Sequence, residues 1–165
     1  MNHLVISFIT EDRPGLVDLL SKVVKQHQGN WQTSSLHHLS GFFTGVLEVA
    51  VAKEHCSALK NTLNELAGFK VNIEQTNPDN SDIGANLILE LTANDREGIV
   101  QEISSIIHHQ GGNMIKLVST QDNAAHTGQA LFKAKITLAV NSEQIDNLVN
   151  ALENLADDLM VDVSR

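Results

Sequence analysis

The stretch Asp12-Arg13-Pro14-Gly15-Leu16-Val17 recurs 83 positions later as Asp95-Arg96-Glu97-Gly98-Ile99-Val100. The dipeptide Gly29-Asn30 recurs as Gly112-Asn113 at the same offset. A common offset over this much sequence indicates an internal duplication, in which each copy spans about half of the 165 residues. Because the repeated segments are a loop and a turn, the duplication also suggests a duplicated functional site.

The beginning of the first copy has the pattern of a strand followed by a helix. Apolar residues dominate from His3 to Thr10, and a charged turn follows them. Pro14 stands where helices commonly begin, because its fixed φ angle suits the first helical turn. Apolar residues then recur at helical spacing as far as Gly29, a residue type that commonly caps a helix C-terminus.

The rest of the first copy predicts a hairpin, a second helix and a last strand. Extended stretches run from Asn30 to Leu39 and from Phe42 to Ala52, and the two residues between them suffice for a hairpin. A helix with leucines on one face is expected to end at Gly68. Alternating residues from Val71 to Glu74 complete the order βαββαβ. This order is typical of a ferredoxin-like unit, four antiparallel strands with two helices on one face.

The second copy repeats this pattern after a polar stretch. The sequence therefore predicts an α+β chain of two ferredoxin-like units in tandem, with one unit in residues 1–76, a linker in 77–85 and the other unit in 86–165. The offset grows from 83 to 89 between the paired strands, so the second hairpin is expected to hold six extra residues around Asp122 to Gly128. Whether the two sheets align edge to edge or pack face to face stays open.

Composition limits the classes of function. The net charge of −9, from 20 acidic and 11 basic residues, disfavours binding to nucleic acid or to anionic membranes. No apolar run approaches the roughly 18 residues that span a bilayer, and the start has no basic stretch followed by an apolar segment. The single Cys56 permits no internal disulfide and suits a reducing compartment. We expect a soluble, cytoplasmic protein.

The turn from Asp12 to Gly15 has the chemistry of a small-ligand site. Unpaired N–H groups and the positive end of a helix dipole meet there and can accept a carboxylate. Gly15 lets a ligand approach the backbone, Asp12 can pair with an ammonium group, and Asn30 offers a donor and an acceptor. These features suit a free α-amino acid. The structural alternative is that Asp12 is only an N-cap and Gly29-Asn30 only a helix-ending turn.

The Asp-Arg-Pro-Gly turn, with an Asn fifteen residues beyond its glycine in a βαββαβ pattern, resembles the ACT domain, a regulatory module that often binds amino acids. The resemblance covers nearly the whole chain, twice. It implies a pocket lined by the first turn and by the Asn that begins the second strand, usually at an interface between two ACT units. The ligand-binding residues implied are Asp12, Pro14, Gly15, Asn30, Asp95, Gly98 and Asn113.

The chain departs from the pattern of that family in two respects, of which the first concerns only the second copy. Glu97 replaces the proline and adds a negative charge beside a proposed carboxylate site. Trp31 and Met114 follow the two Asn residues, where the family often has Ile. Of the two sites, we therefore expect the first to be the functional one.

Two ACT-like units with no attached catalytic domain resemble members of that family that repress transcription. Those proteins contact a DNA-bound activator instead of DNA, and glycine modulates the contact. The resemblance implies an amino-acid-responsive regulatory protein without enzymatic activity or a cofactor. Its implied partners are a small amino acid, for which glycine is the candidate, and a transcriptional activator, and we expect a homodimer. The alternative is a ligand-free interaction or dimerisation module.

Metal binding and catalysis have little support in the sequence. Among the eight His residues, the doublets His37-His38 and His108-His109 lack the spacing of metal ligands. Cys56 follows His55 just before the second predicted helix, but adjacent side chains diverge and a lone Cys is usually a small buried hydrophobe. No nucleophile-elbow, P-loop or dinucleotide-binding motif is present. No metal site and no catalytic residue are predicted.

Overall fold

The computed structural model describes residues 1–78 and 83–165. The chain divides into two compact units, Met1–Asn80 and Ser81–Arg165. Each unit has the order βαββαβ and one antiparallel four-stranded sheet, which confirms the predicted fold class. The predicted linker, residues 77–85, includes residues 79–82, which lie outside the described residues.

The first unit has the strand order β2-β3-β1-β4, with every neighbouring pair antiparallel. Its elements are β1 (Asn2–Glu11), α1 (Leu16–Gln26), β2 (Asn30–Leu39), β3 (Phe42–Val51), α2 (Lys53–Asn64) and β4 (Lys70–Thr76). Alternate residues of the central strands, such as Leu4 and Ile6, are buried, as is Leu59 of α2. This core lies between the sheet and its two helices because the strands alternate with period two and the helices are amphipathic.

The end of α1 differs from the sequence expectation. The predicted C-cap at Gly29 is wrong, because α1 ends at Gln26 and the left-handed residue is Gln28, with φ of 57°. Gly29 lies in a tightly packed position instead: a Cβ there would lie 3.0 Å from side-chain atoms of both Val24 and Val49. Likewise α2 ends at Asn64, and Gly68, with φ of 80°, belongs to the following turn.

The second unit repeats the arrangement with the strand order β6-β7-β5-β8. Its elements are β5 (Leu87–Asn94), α3 (Ile99–His109), β6 (Asn113–Asn123), β7 (Ala130–Ala139), one 3₁₀ turn (Ser142–Gln144), α4 (Ile145–Glu153) and β8 (Met160–Ser164). Leu89, Leu138, Leu148 and Leu152 are fully buried in its core. The two units therefore bury separate cores of the same design.

The hairpins account for the change of offset. In the first unit, Ser40 and Gly41 form a two-residue turn in which both φ angles are positive. In the second unit, strand pairing continues one pair further, to Asn123 and Ala130, and the loop has six residues, four more than the turn of the first unit. The added strand pair and the four added loop residues together make six. The predicted insertion of six residues is confirmed. The extra chain lies at the tip of the hairpin and leaves the register of the sheet intact.

The sheet face opposite the helices is not covered by the helices of the same unit. In the first unit it presents apolar side chains that are 40–58% exposed: Val5, Ile9, Leu39, Phe42 and Val46. None of the helices among the described residues is long and apolar enough to cross a membrane.

Candidate functional site

The turn between β1 and α1 is fixed to the tip of the β2–β3 hairpin. The backbone N–H of Asp12 donates to the carbonyl of Gly41 at 2.9 Å. Gly15 is the N-cap residue of α1, and its φ of 88° places it in the left-handed region that favours glycine. The alternative interpretation of Asp12 as the N-cap is therefore wrong, which leaves its carboxylate available for other contacts.

The Asp12 carboxylate faces the edge of the hairpin. Its Oδ2 contacts Nδ1 of His38, and the two side chains are 31% and 60% exposed. Asp12, Arg13, Pro14, His38 and Gly41 line a surface pocket of about 460 Å³. A carboxylate and a guanidinium in one open pocket can pair with the ammonium and the carboxylate of an amino acid.

The second turn has the same backbone arrangement. The N–H of Asp95 donates to the carbonyl of Ala130 at 3.0 Å, and Gly98 precedes α3 with φ of 81°. The side-chain amide of Gln121 donates to Oδ2 of Asp95. Gln121 lies 83 positions after His38, so the contact between the turn and the hairpin is duplicated together with the turn.

Sequence reasoning missed His38 and Gln121 as neighbours of the two turns. Their residue types differ, so a search for repeated identities passes over them. Two features of the sequence could have indicated them: both residues lie close to the hairpin turn, and the offset of 83 relates one to the other. Both side chains can donate a hydrogen bond to a carboxylate, so the two copies share this contact although the residue types differ.

The arginines of the two turns differ in their contacts. Nη2 of Arg96 lies 2.5 Å from Oε2 of Glu102, on the first turn of α3, and the two side chains form an ion pair. Arg13 makes no ion pair or hydrogen bond within residues 1–78 and 83–165. The first turn thus presents a free guanidinium, whereas the guanidinium of the second turn is already paired.

Asn30 and Asn113 do not lie near the turns of their own units. Asn30 pairs with Ala50, whereas the first turn follows Glu11, which pairs with Phe42. Eight residues along β3 separate these positions, about 26 Å at the rise of a β-strand. In the second unit, Asn113 pairs with Ala139 and the turn follows Asn94, which pairs with Leu131. Each predicted site is therefore divided between opposite ends of its sheet.

The other candidate groups lie away from the turns. Cys56 is buried inside α2, not before it as expected, and its Sγ lies 3.4 Å from Oε1 of Gln75. No cluster of three or more His, Cys, Asp or Glu side chains in the described part of the chain is arranged to hold a metal ion. A second cavity of about 300 Å³ lies on the sheet of the second unit and includes Glu90, Lys133 and Lys135 in its lining.

Comparison with known proteins identifies the module. The family model of the ACT domain matches residues 2–73, which include the first turn and all six elements of the first unit except the end of β4. The first unit thus matches the ACT domain over nearly its whole length, and the chain has a tandem ACT-like fold. No curated protein sequence matches the chain.

Two solved structures share the tandem ACT-like fold over the full chain. One is an unknown protein from Galdieria sulphuraria, with 23% sequence identity, a TM-score of 0.77 and coverage of 99% of this chain and 98% of that one. The other is a protein proposed to be a glycine cleavage system transcriptional repressor, with 18% identity, a TM-score of 0.74 and the same two coverages. At these identities the likeness establishes the fold.

Proposed function

We propose that this chain is an amino-acid-responsive regulatory protein that represses transcription of the glycine cleavage system by contacting a DNA-bound activator. The observation that carries the proposal is the pocket at the first turn, where Asp12 and Arg13 offer a carboxylate and a free guanidinium. The ACT domain at this position and the tandem fold of a proposed glycine cleavage repressor support it.

The ligand in this proposal is a small amino acid, and glycine is the first to test. The ammonium group pairs with Asp12, while Pro14 and Gly15 shape the turn and let the ligand approach the N-terminus of α1. Asp95 and Gly98 are the corresponding residues of the second turn. Asn30 and Asn113 are too far from the turns of their own units, so they contribute in a homodimer, from a second copy of the chain.

A protein partner is preferred to DNA because of the charge of the chain. At −9, the chain is repelled by phosphate groups, whereas a transcriptional activator that binds DNA has basic surface to offer. In this proposal the protein acts in the cytoplasm and has no catalytic role. Ligand occupancy changes the affinity for the activator only if the ligand binds the free and the partner-bound states differently.

A thermal-shift panel of the common amino acids tests the ligand. At 100 times the dissociation constant, a ligand stabilises the folded chain by about 2.7 kcal/mol, which raises the midpoint of a chain of this size by roughly 5–10 °C. We expect glycine to raise it, and the Asp12→Ala variant to lose the shift. If no amino acid moves the midpoint, the sensing function is wrong.

A pull-down from lysate with and without glycine tests the partner. We expect the immobilised chain to capture an activator of glycine cleavage genes in an amount that changes with glycine. Asp12→Ala is the matched control, because it should remove the glycine response while it leaves the sheets intact. If the amount of activator captured by the wild type does not depend on glycine, the proposed coupling between glycine and the activator is contradicted.

A ligand-free interaction module is the second candidate. The half-exposed apolar side chains on the open face of the first sheet, Val5, Ile9, Leu39, Phe42 and Val46, favour it. This candidate predicts self-association that weakens when Val46 is replaced by Lys and that is insensitive to every amino acid. Light scattering at several concentrations, with and without glycine, distinguishes the two candidates.

A further inference from the structure

We propose that Arg13 is the residue that binds the ligand carboxylate and that the second turn cannot take this ligand, so that each chain binds one amino acid, in its first unit. This inference rests on the proposed function, because it identifies the specificity-determining residue of the same site. Arg13 is not among the ligand-binding residues that the resemblance to the ACT domain implied.

Arg13 is placed and free to bind an anion. It lines the 460 Å³ pocket next to Asp12, and its Nη1 would lie 4.0 Å from a Cβ built on Gly68 in the turn before β4. The guanidinium of Arg13 therefore lies beside Gly68, which has no side chain that could pair with it. A guanidinium without a partner binds carboxylates through paired N–H groups, in the geometry that Arg favours over Lys.

Arg96, the counterpart of Arg13, is neutralised within its own unit. Its ion pair with Glu102 joins the second turn to the first turn of α3. The position in the first unit that corresponds to Glu102 is Leu19, which is half-buried and uncharged. A carboxylate ligand at the second turn would have to displace Glu102 from Arg96, whereas no such competition occurs at Arg13.

Two more acidic residues surround the second turn where the first has neutral ones. Glu97 stands in place of Pro14. Asp158 stands in place of Gly68, since both lie two residues before the first residue of the last strand of their units. The carboxylate of Asp158 accepts a hydrogen bond from the backbone N–H of Asn94 at 2.6 Å, directly before the turn.

The second unit as a whole is also more acidic than the first. The first unit, Met1–Asn80, has six Lys and Arg against eight Asp and Glu, and the second, Ser81–Arg165, has five against twelve. Three of the additional acidic residues are those around the second turn: Glu97, Glu102 and Asp158. The ligand carboxylate thus meets an unpaired cation at the first turn and several like charges at the second.

Calorimetric titration of the intact chain with glycine tests the inference. We expect one binding site per chain. Arg13→Gln should weaken binding at least about tenfold, because it removes a charge-assisted contact. Arg96→Gln is the matched control and should leave the affinity and the stoichiometry unchanged. Arg13→Lys should recover part of the affinity, because the positive charge returns without the paired donors.

A ligand without the carboxylate separates recognition from a general effect on the fold. Wild type should bind glycine at least about tenfold more tightly than glycinamide, since only glycine offers an anion to Arg13. Arg13→Gln should bind the two compounds with nearly equal affinity. A purely structural role of Arg13 would weaken both compounds equally and would overturn the assignment.

Exchanging the neutral and the acidic residues tests the difference between the units. Leu19→Glu should place a carboxylate beside Arg13 and abolish glycine binding. The triple variant Glu97→Pro, Glu102→Leu, Asp158→Gly should free Arg96 and raise the stoichiometry towards two. Backbone amide spectra of Gly15 and Gly98 report which turn is occupied and whether each variant is folded.

The outcomes distinguish this inference from the proposed function. If the wild type binds glycine with two sites per chain, or if Arg13→Gln binds like the wild type, amino-acid sensing stands and the assignment to Arg13 and the first unit is wrong. If the folded wild type binds no amino acid, the proposed function is wrong and the inference with it.

Discussion

Nδ1 of His38 contacts the Oδ2 atom of Asp12 and so joins the β2–β3 hairpin to the turn before α1. The second unit makes the equivalent contact between Gln121 and Asp95. In both units the backbone N–H of the same aspartate is bound by the hairpin, through the carbonyl of Gly41 or Ala130. The hairpin thus holds the aspartate by its main chain and its side chain, which fixes the direction of the carboxylate.

The His38→Gln and His38→Ala variants test whether this contact orients the ligand site. Glutamine should keep glycine affinity within about threefold of wild type, because Gln121 makes the same contact in the second unit. Alanine should weaken glycine binding by about three- to tenfold, the value of one hydrogen bond. Calorimetry of both variants measures this. Equal affinities for both would show that Asp12 needs no partner.

The two hairpins should be interchangeable at their tips. Replacing residues 123–130 by Ser-Gly gives the second unit the two-residue turn of the first and preserves a carbonyl for the N–H of Asp95. Because the cost of loop closure changes slowly with loop length, the free energy of unfolding should change by less than about 1 kcal/mol. Urea denaturation of the graft measures it. A loss of several kcal/mol would mean that the longer loop contributes to the core.

Gly45 should be intolerant of any side chain. A Cβ there would collide with the carbonyl oxygen of Ser35 and lie 2.8 Å from Cα of Leu36, both on the neighbouring β2 strand. Gly45→Ala should therefore cost about 3 kcal/mol, since backbone atoms of a paired strand cannot move aside. Gly41→Ala is the control. Its φ is 90° but nothing lies within 4 Å, so it should cost only about 1 kcal/mol.

Asn30 should act on a ligand only from a second copy of the chain, given its distance from Asp12. We expect Asp12→Ala and Asn30→Ala each to lose glycine binding alone. Refolded together in equal amounts, the two variants form mixed dimers with one intact site, so about a quarter of the wild-type capacity should return. No recovery would exclude a shared site, and full binding by Asn30→Ala would exclude Asn30 as a ligand residue.

The fold was predictable from the sequence because each copy carries complete local patterns. Strand periodicity, amphipathic helices and turn residues agree with one another and recur at a fixed offset. Helix ends were less predictable. Gly29 was predicted as the C-cap of α1, but it lies beyond the helix and packs closely against Val24 and Val49. The bulge between Trp31 and Ser34 was also not predicted, because it depends on pairing with β3.

The candidate site was predictable only in part. The turns were found because their residues repeat, yet the partners of Asp12 and Asp95 do not repeat in type. The pairing of Arg96 with Glu102 depends on how the turn enters α3, which no spacing rule reveals. Asn30 follows α1, which runs back along the sheet from the turn. Asn30 is therefore far from the turn in space, although the two are close in sequence.

The most direct test of amino-acid sensing is calorimetric titration of the intact, folded chain with glycine. The proposed function predicts saturable heat that disappears in the Asp12→Ala variant, while the circular dichroism of the variant matches that of the wild type. Absence of heat from the folded wild type, with glycine and with every other common amino acid, would contradict it.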